Sequence, residues 1–238
     1  RASIVDIDPF GSPSKYIDCA IRATMHSGML ALTATDLQVL HGLFNKAAKR
    51  RYYGTPVKTE FSNEIAIRLI LGCVSFVAGR LDISFQPLFV DHDMHYYRTY
   101  MKILNTPEKE EKIGYIIFCR NCKDRHTQII KQNECRKCGH ETEIAGPLWI
   151  GKLFDKEFVN KMKYVKNDLT VNKRCERIIE RSEAEAELPA TYYTLDEIAS
   201  MIKSAPLKLS DAVERLRSQG YKASMTSLNP GGFRTDCE

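Results

Sequence analysis

The chain has 238 residues, 43% of them hydrophobic, enough to bury a core and to hold more than one domain. A formal net charge of +5 is mildly basic, which suits a phosphate-rich partner without requiring one. No apolar run approaches the roughly eighteen residues of a membrane span. No signal-peptide pattern is present either, so the expectation is a soluble, cytoplasmic protein with no membrane partner and no obligate protein partner evident.

Ile4 to Ile7 reads as a strand that breaks into Asp8-Pro9-Phe10-Gly11. Ser14 is placed to cap a helix carrying Ile17, Ala20, Ile21 and Thr24 and ending before Gly28, and Met29 to Thr33 reads as a second buried strand. This is a βαβ pattern. Ligands in open α/β sheets bind outside the carboxyl ends of the strands, so Asp8, Pro9 and Phe10 are placed to face a ligand. Two readings stand at this point. Asp-Pro and Gly-Ser-Pro both mark plain turns. Alternatively, the Asp8 carboxylate and the Pro9 carbonyl accept the two N–H bonds of an aromatic amine while Phe10 stacks on its ring, an arrangement suited to N-methylation of a base.

Farther along, Asp36 either lines this pocket or caps the helix that follows it. Asn45 to Gly54 is a basic run interleaved with aromatics, containing Arg50, Arg51 and Tyr52; it is either a solvated loop or helix end, or a contact for an RNA strand. A long apolar helix is predicted from about Ser62 to Ala78, followed by strands at Ile83 to Val90 and Tyr96 to Ile103 that form an antiparallel edge. The polar Asp91-His92-Asp93-Met94-His95 segment between them reads as a turn rather than a metal site.

Cys119-Arg120-Asn121-Cys122 and Cys135-Arg136-Lys137-Cys138, twelve residues apart, offer four thiolates to one tetrahedral ion. Disulfides are disfavoured in a cytosolic chain, and four thiolates leave no position for a reacting water, so the site reads as structural zinc. Cys19 and Cys73 are assigned to apolar packing. Lys152 to Glu187 reads as a solvated helical connector. Thr194 to Glu197 is a capping box opening a helix through Ile202, which Pro206 breaks. Ser210 is placed to cap the next helix, which ends at Ser218 before Gly220. With Tyr221 to Met225 this resembles a winged-helix unit in which Arg215 and Arg217 are available to a nucleic acid, although a packing module fits equally.

Asp8-Pro9-Phe10-Gly11 also resembles the amino-methyltransferase motif of the tRNA (guanine26-N2)-dimethyltransferase family. Thr33-Ala34-Thr35-Asp36, Leu40-His41-Gly42, Arg50 to Lys58, Glu64 with Arg68, and Asn229 to Asp236 are similar to further blocks of that family in the same order. The resemblance implies the carboxyl-terminal half of a class I, Rossmann-like methyltransferase sheet, followed by a zinc ribbon and a small α+β winged-helix-like domain. The corresponding boundaries are 1–105 for the catalytic half, 106–150 for the four-cysteine ribbon, 151–190 for the connector and 191–238 for a tRNA-binding domain. It implies S-adenosylmethionine-dependent mono- then dimethylation of the N2 amine of guanine 26 in tRNA. Asp8, Pro9 and Phe10 would be catalytic, and Gly11, Asp36, Arg50, Arg51, Tyr52 and Lys58 would bind substrate. The Gly-rich cofactor turn of such enzymes is missing ahead of Asp8, so the chain reads as a fragment, inactive alone, whose donor site lies upstream of Arg1. Thr226-Ser227-Leu228 stands where the family carries Thr-His-Phe, so that histidine's role does not transfer. The alternative function is a non-catalytic zinc-ribbon and winged-helix RNA-binding module.

Overall fold

The computed structural model describes residues 1–237 apart from Asp168 and Pro206, so the helix break expected at Pro206 lies outside the described residues. β1 (Ala2–Ile7) is followed by a 3-10 turn at Ser14–Tyr16 and by α1 (Ile17–Ala23), whose Ile17, Ala20 and Ile21 are buried. Ser14 does not cap the helix through its side chain; Ser12 Oγ instead accepts the Ser14 N–H at 3.2 Å. Thr24 belongs to β2 (Thr24–Ala34), which pairs in parallel with β1, Ile7 opposite Leu32. α2 (Leu37–Leu40), α3 (Asn45–Tyr52) and α4 (Ser62–Gly79) follow, so the basic run is a helix rather than a loop.

β3 (Ser84–Asp93) and β4 (Tyr96–Leu104) form an antiparallel hairpin, completing a mixed sheet in the order β1-β2-β4-β3. The hairpin turns at Met94–His95, while Asp91 and His92 are still in the ladder opposite Arg98 and Tyr97. α4 is long and apolar enough to cross a membrane by length and composition, with a mean hydropathy of 1.4. That corrects the reading that no segment reaches that length. The helix is instead the central packing element of its unit, meeting β3 and β4 on one side and the ribbon on another, with 72% of the window buried.

The ribbon is a three-stranded antiparallel sheet of β5 (Ile113–Phe118), β6 (Arg125–Gln128) and β7 (Glu143–Trp149), in the order β6-β5-β7. It belongs to one compact unit with the mixed sheet, Arg1–Gly151. Two features explain that union. Arg68 on α4, buried and paired with Glu64 at 2.8 Å, donates to the carbonyls of Trp149 at 3.0 Å and Gly151 at 2.8 Å. Such a pair is tolerated in the interior because its remaining donors are spent on backbone acceptors. Gly54 lies so close to β7 that a Cβ there would meet the Pro147 oxygen at 2.3 Å.

The second unit, Lys152–Glu238, contains α5 (Lys156–Asn167), α6 (Lys173–Glu185), β8 (Tyr193–Thr194), α7 (Leu195–Ile202), α8 (Leu209–Ser218), β9 (Ala223–Met225) and β10 (Gly232–Thr235). Its sheet is antiparallel in the order β8-β10-β9, and Val213, Ala223 and Phe233 centre a small core. Thr194 caps α7 as expected, accepting the Glu197 N–H at 3.3 Å. α8 starts at Leu209 with Lys208 as its cap and no side-chain cap bond, so Ser210 lies inside its first turn. The 151–190 segment is not simply solvated. Ile179, Ser182 and Glu185 on α6 are buried, and α6 packs against β9.

Glu185 shows why. It pairs with Arg234 and accepts from Thr226 Oγ1 at 2.6 Å, Ser227 N at 2.7 Å and Ser227 Oγ at 2.6 Å. Ser227, at the position where the resembled family carries histidine, thus anchors Glu185. The Asn229 to Asp236 block is structural here: Gly232 N–H bonds Asn229 O at 3.1 Å, and Arg234 Nη1 donates to Pro189 O at 3.0 Å and Thr191 O at 3.2 Å. Arg215 and Arg217 are both exposed, and Arg217 Nε donates to Ala223 O at 2.8 Å.

Candidate active site

Strand direction and register collect chemistry at one end of the mixed sheet. β1, β2 and β3 end there and β4 begins there, with Ala34 opposite Tyr97 and His92 opposite the same Tyr97. Asp8 and Phe10 leave β1 into solvent, Pro9 is half-buried, and Phe10 is 105% exposed, so its ring is spent on no packing contact. The loop is nonetheless fixed. Gly11 N donates to Thr35 Oγ1 at 2.7 Å and Thr35 N returns a bond to Gly11 O at 2.9 Å. Gly11 has φ +84°, a left-handed conformation that glycine adopts without the penalty of a Cβ.

Asp36 neither caps α2 with its side chain nor stands free. Its carboxylate accepts from Arg51 Nη1 at 2.9 Å and from Tyr52 Oη at 2.6 Å, and its side chain is only 7% exposed. Tyr52 is wholly buried, so it has no face to offer an RNA base; this corrects the direct substrate contact expected of it. Burial first, and then the Asp36 carboxylate, hold its phenol well above the usual range. Arg51 and Tyr52 thus grip Asp36, the residue that follows Thr35, and Thr35 in turn pins the loop after β1. Arg50 and Lys58 are exposed; Arg51 is half-buried and committed to Asp36.

A second cluster, not anticipated from the sequence, adjoins this end of the sheet. Tyr97 Oη donates to Asn63 Oδ1 at 2.7 Å and also meets His41 Nε2. Since the tyrosine proton is directed to Asn63, the His41 nitrogen is the donor in the other bond, which fixes its tautomer. Burial, and secondly His92, keep His41 below its ordinary value of 6.5, consistent with a neutral ring. His41 lines a cleft of about 280 Å³ with Leu43, Lys58, Thr59 and Asn63 among its other walls. The only signal in the sequence was the Leu40-His41-Gly42 block, because Tyr97 lies 56 residues from His41 and 34 from Asn63.

In the ribbon, Cys119, Cys122, Cys135 and Cys138 place their sulfurs within 4.8 Å of one another. The Cys119–Cys138 and Cys122–Cys135 sulfurs are 3.5 Å apart, well beyond the roughly 2.05 Å of a disulfide. A tetrahedral ion with metal–sulfur bonds of about 2.3 Å requires sulfurs about 3.8 Å apart, so the donor set fits zinc. Both knuckles are built alike: Lys123 N and Cys119 N bond Cys119 O and Asp124 O, while Gly139 N and Cys135 N bond Cys135 O and His140 O. Lys123 and Gly139 both take positive φ, +62° and +72°. Among the other cysteines, Cys73 is buried, its thiol pushed up to about 12 by that burial; Cys19 is exposed, contrary to the packing role expected for it.

Comparison with known proteins agrees with this architecture. The chain is 34% identical over 247 aligned residues to the tRNA (guanine(26)-N(2))-dimethyltransferase of Methanosphaera stadtmanae, covering 98% of this chain and 62% of the relative. It is 35% identical to the tRNA (guanine(26)-N(2)/guanine(27)-N(2))-dimethyltransferase of Aquifex aeolicus, covering 98% of this chain and 60% of the relative. The solved structure of Trm1 from Pyrococcus horikoshii with S-adenosyl-L-methionine superposes with a TM-score of 0.86 at 26% identity, over 99% of this chain and 63% of that one. The chain thus spans about three fifths of the length of these relatives. The family model for N2,N2-dimethylguanosine tRNA methyltransferase matches residues 1–238, and the chain belongs to that family.

Proposed function

We propose that the protein of which these residues form part methylates the N2 amine of guanine 26 in tRNA, first once and then a second time, using S-adenosylmethionine. The observation that carries this reading is the loop after β1: Asp8 and Phe10 stand open to solvent on a backbone pinned to Thr35, in a chain of this family. The amine's lone pair is delocalised into the base. Two acceptors, the Asp8 carboxylate and the Pro9 carbonyl, would draw the nitrogen toward a tetrahedral shape, and the carboxylate would stabilise the positive charge that develops on it. Phe10 would stack on the extruded base, which has to leave the tRNA stack to reach the loop. When bound, S-adenosylmethionine supplies an electrophilic methyl group; none of the residues described here is assigned to hold it. Each transfer would leave a cationic amine that gives up one proton, with the Asp8 carboxylate as its nearest acceptor, so after the first transfer one N–H remains and a second can follow.

Of the residues expected to bind substrate, Arg50 and Lys58 are exposed cations available to the RNA backbone, with Gly11 shaping the loop. Asp36, Arg51 and Tyr52 act behind them, holding α3 to the loop rather than touching RNA. Zinc held by Cys119, Cys122, Cys135 and Cys138 would be structural, since four thiolates complete its coordination. The second unit, with its two short helices and three-stranded sheet, is assigned to tRNA binding as a winged-helix-like element in which Arg215 faces outward. The full-length protein, incubated with S-adenosylmethionine and tRNA, is expected to yield N2-methylguanosine followed by N2,N2-dimethylguanosine on nucleoside mass spectrometry, mapped to position 26. Methyl groups on another atom, or none, would reject the proposal.

A further inference from the structure

The turn joining α2 to α3 carries two large apolar side chains in open solvent, Leu43 at 62% and Phe44 at 53% exposure. Neighbouring exposed apolar residues on a rigid support mark a contact surface rather than a random surface position. Rigid support is present. Leu43 N bonds Gln38 O at 2.9 Å, and Ala47 N and Ala48 N bond Phe44 O at 2.9 and 3.0 Å, so the pair forms the fixed tip of α3. Behind the tip, Lys46, Lys49 and Arg50 lie along the solvent face of α3 while Ala48 and Tyr52 form its buried face. These three cations make no ion pair among the described residues, and that stripe is complementary to a phosphate backbone. The other end of α3 is clamped through Arg51 and Tyr52 to Asp36, whose neighbour Thr35 is bonded to Gly11 of the Asp8 loop. An eight-residue helix is about 12 Å long, which keeps the tip within reach of the nucleotides flanking a base at that loop.

Resting on the methylation reading above, we infer that Leu43 and Phe44 enter the RNA as an apolar wedge, filling the stack that the target guanine vacates while the α3 cations hold the adjoining phosphates. Apolar side chains inserted at base steps compensate unstacking in other nucleic-acid complexes, and base extrusion creates the gap that such a wedge fills. The wedge explains why a Leu-Phe pair is left in solvent beside a run of cations that form no ion pair among the described residues.

The test uses the full-length enzyme with two tRNA substrates, one natural and one in which the nucleotide pairing with the target guanine is abasic. Phe44→Ala and the double variant Leu43→Ala/Phe44→Ala are expected to lose about tenfold or more in turnover on natural tRNA, with a much smaller change in Kd, because the cost of unstacking is no longer offset. On the abasic substrate, where extrusion is cheap, both variants are expected to recover to near the parent rate. Phe44→Leu, which keeps an apolar wedge, should lose less than Phe44→Ala on natural tRNA. Equal losses on both substrates would overturn the inference, as would unchanged turnover on natural tRNA. So would a shift from dimer to monomer in Phe44→Ala with turnover intact, which would assign the tip to a second copy of the chain. If the parent enzyme methylates neither substrate, the methylation reading itself fails and the wedge with it.

Discussion

Asp36 in the first unit and Glu185 in the second are built from the same parts, a carboxylate gripped by an arginine and by hydroxyl donors, yet they sit in opposite surroundings. Glu185 and Arg234 expose 0% and 3% of their side chains, and Thr226 and Ser227 fill the remaining acceptor positions. Asp36 is nearly as buried at 7%, but its partner Arg51 is 40% exposed, and the neighbouring Thr35 pins a loop whose Asp8 and Phe10 stand in solvent. The closed network holds secondary structure together. The half-open one holds the loop after β1 in place while leaving it accessible. Exposure of the arginine, rather than the chemistry of the pair, separates a structural lock from a site support.

The largest effect should follow from opening the closed network. Glu185→Ala leaves Arg234 buried without its partner, and breaking such a pair costs about 3–5 kcal/mol. Chemical denaturation is expected to show the second unit losing most of its stability; a change within about 0.5 kcal/mol, as for an ordinary surface substitution, would dissolve the contrast. Next comes the ribbon. Metal analysis should find one zinc per chain. Removing it with a chelator should expose all four thiols to a thiol reagent, and Cys135→Ser the remaining three, and either should loosen the face of α4 that packs on β7. Retention of the ribbon's protection without metal would reject the zinc assignment.

Asp36→Ala sharpens the comparison from the other side. The stability loss is expected to be about 1–2 kcal/mol, less than at Glu185 because solvent screens Arg51. Turnover should nevertheless fall by a larger factor than tRNA affinity, since the loop is loosened and not the RNA contacts. An affinity loss with turnover intact would make Asp36 a direct RNA contact. The smallest effect concerns His41. Its folded value lies below 6.5, so below that pH the unfolded chain binds a proton that the folded chain resists. Stability should be level above about pH 6.5 and decline as pH falls from there toward the folded value, and His41→Gln should flatten that decline. Denaturation midpoints across this range, if they rose on acidification, would place a charged His41 in the fold.

What the sequence made legible was local. Apolar runs placed β1, β2 and α4, and the Cys-x-x-Cys spacing identified the thiol cluster, because period and spacing act over a few residues. Long-range partners were not legible. Nothing near Asp36 marks Arg51 and Tyr52, fifteen and sixteen residues away, as its ligands, and nothing at Thr226-Ser227 points back to Glu185. Charge-rich α6 looked solvated since composition does not reveal which of its acids turns inward. The basic run looked like a loop because its helix, α3, is short and only Ala48 and Tyr52 on it are buried. The break after β1 was legible from Asp8-Pro9-Phe10-Gly11, but its pinning to Thr35 required the register of two parallel strands.

The central claim is that Asp8 handles the target amine from a loop supported by this network. The most direct measurement compares Asp8→Ala with the parent in the full-length enzyme, recording single-turnover methylation and tRNA binding on the same preparations. Methyl transfer should disappear, with tRNA affinity changed by no more than about twofold, since Asp8 carries no phosphate contact. Preserved turnover, or a loss explained entirely by weaker binding, would contradict it.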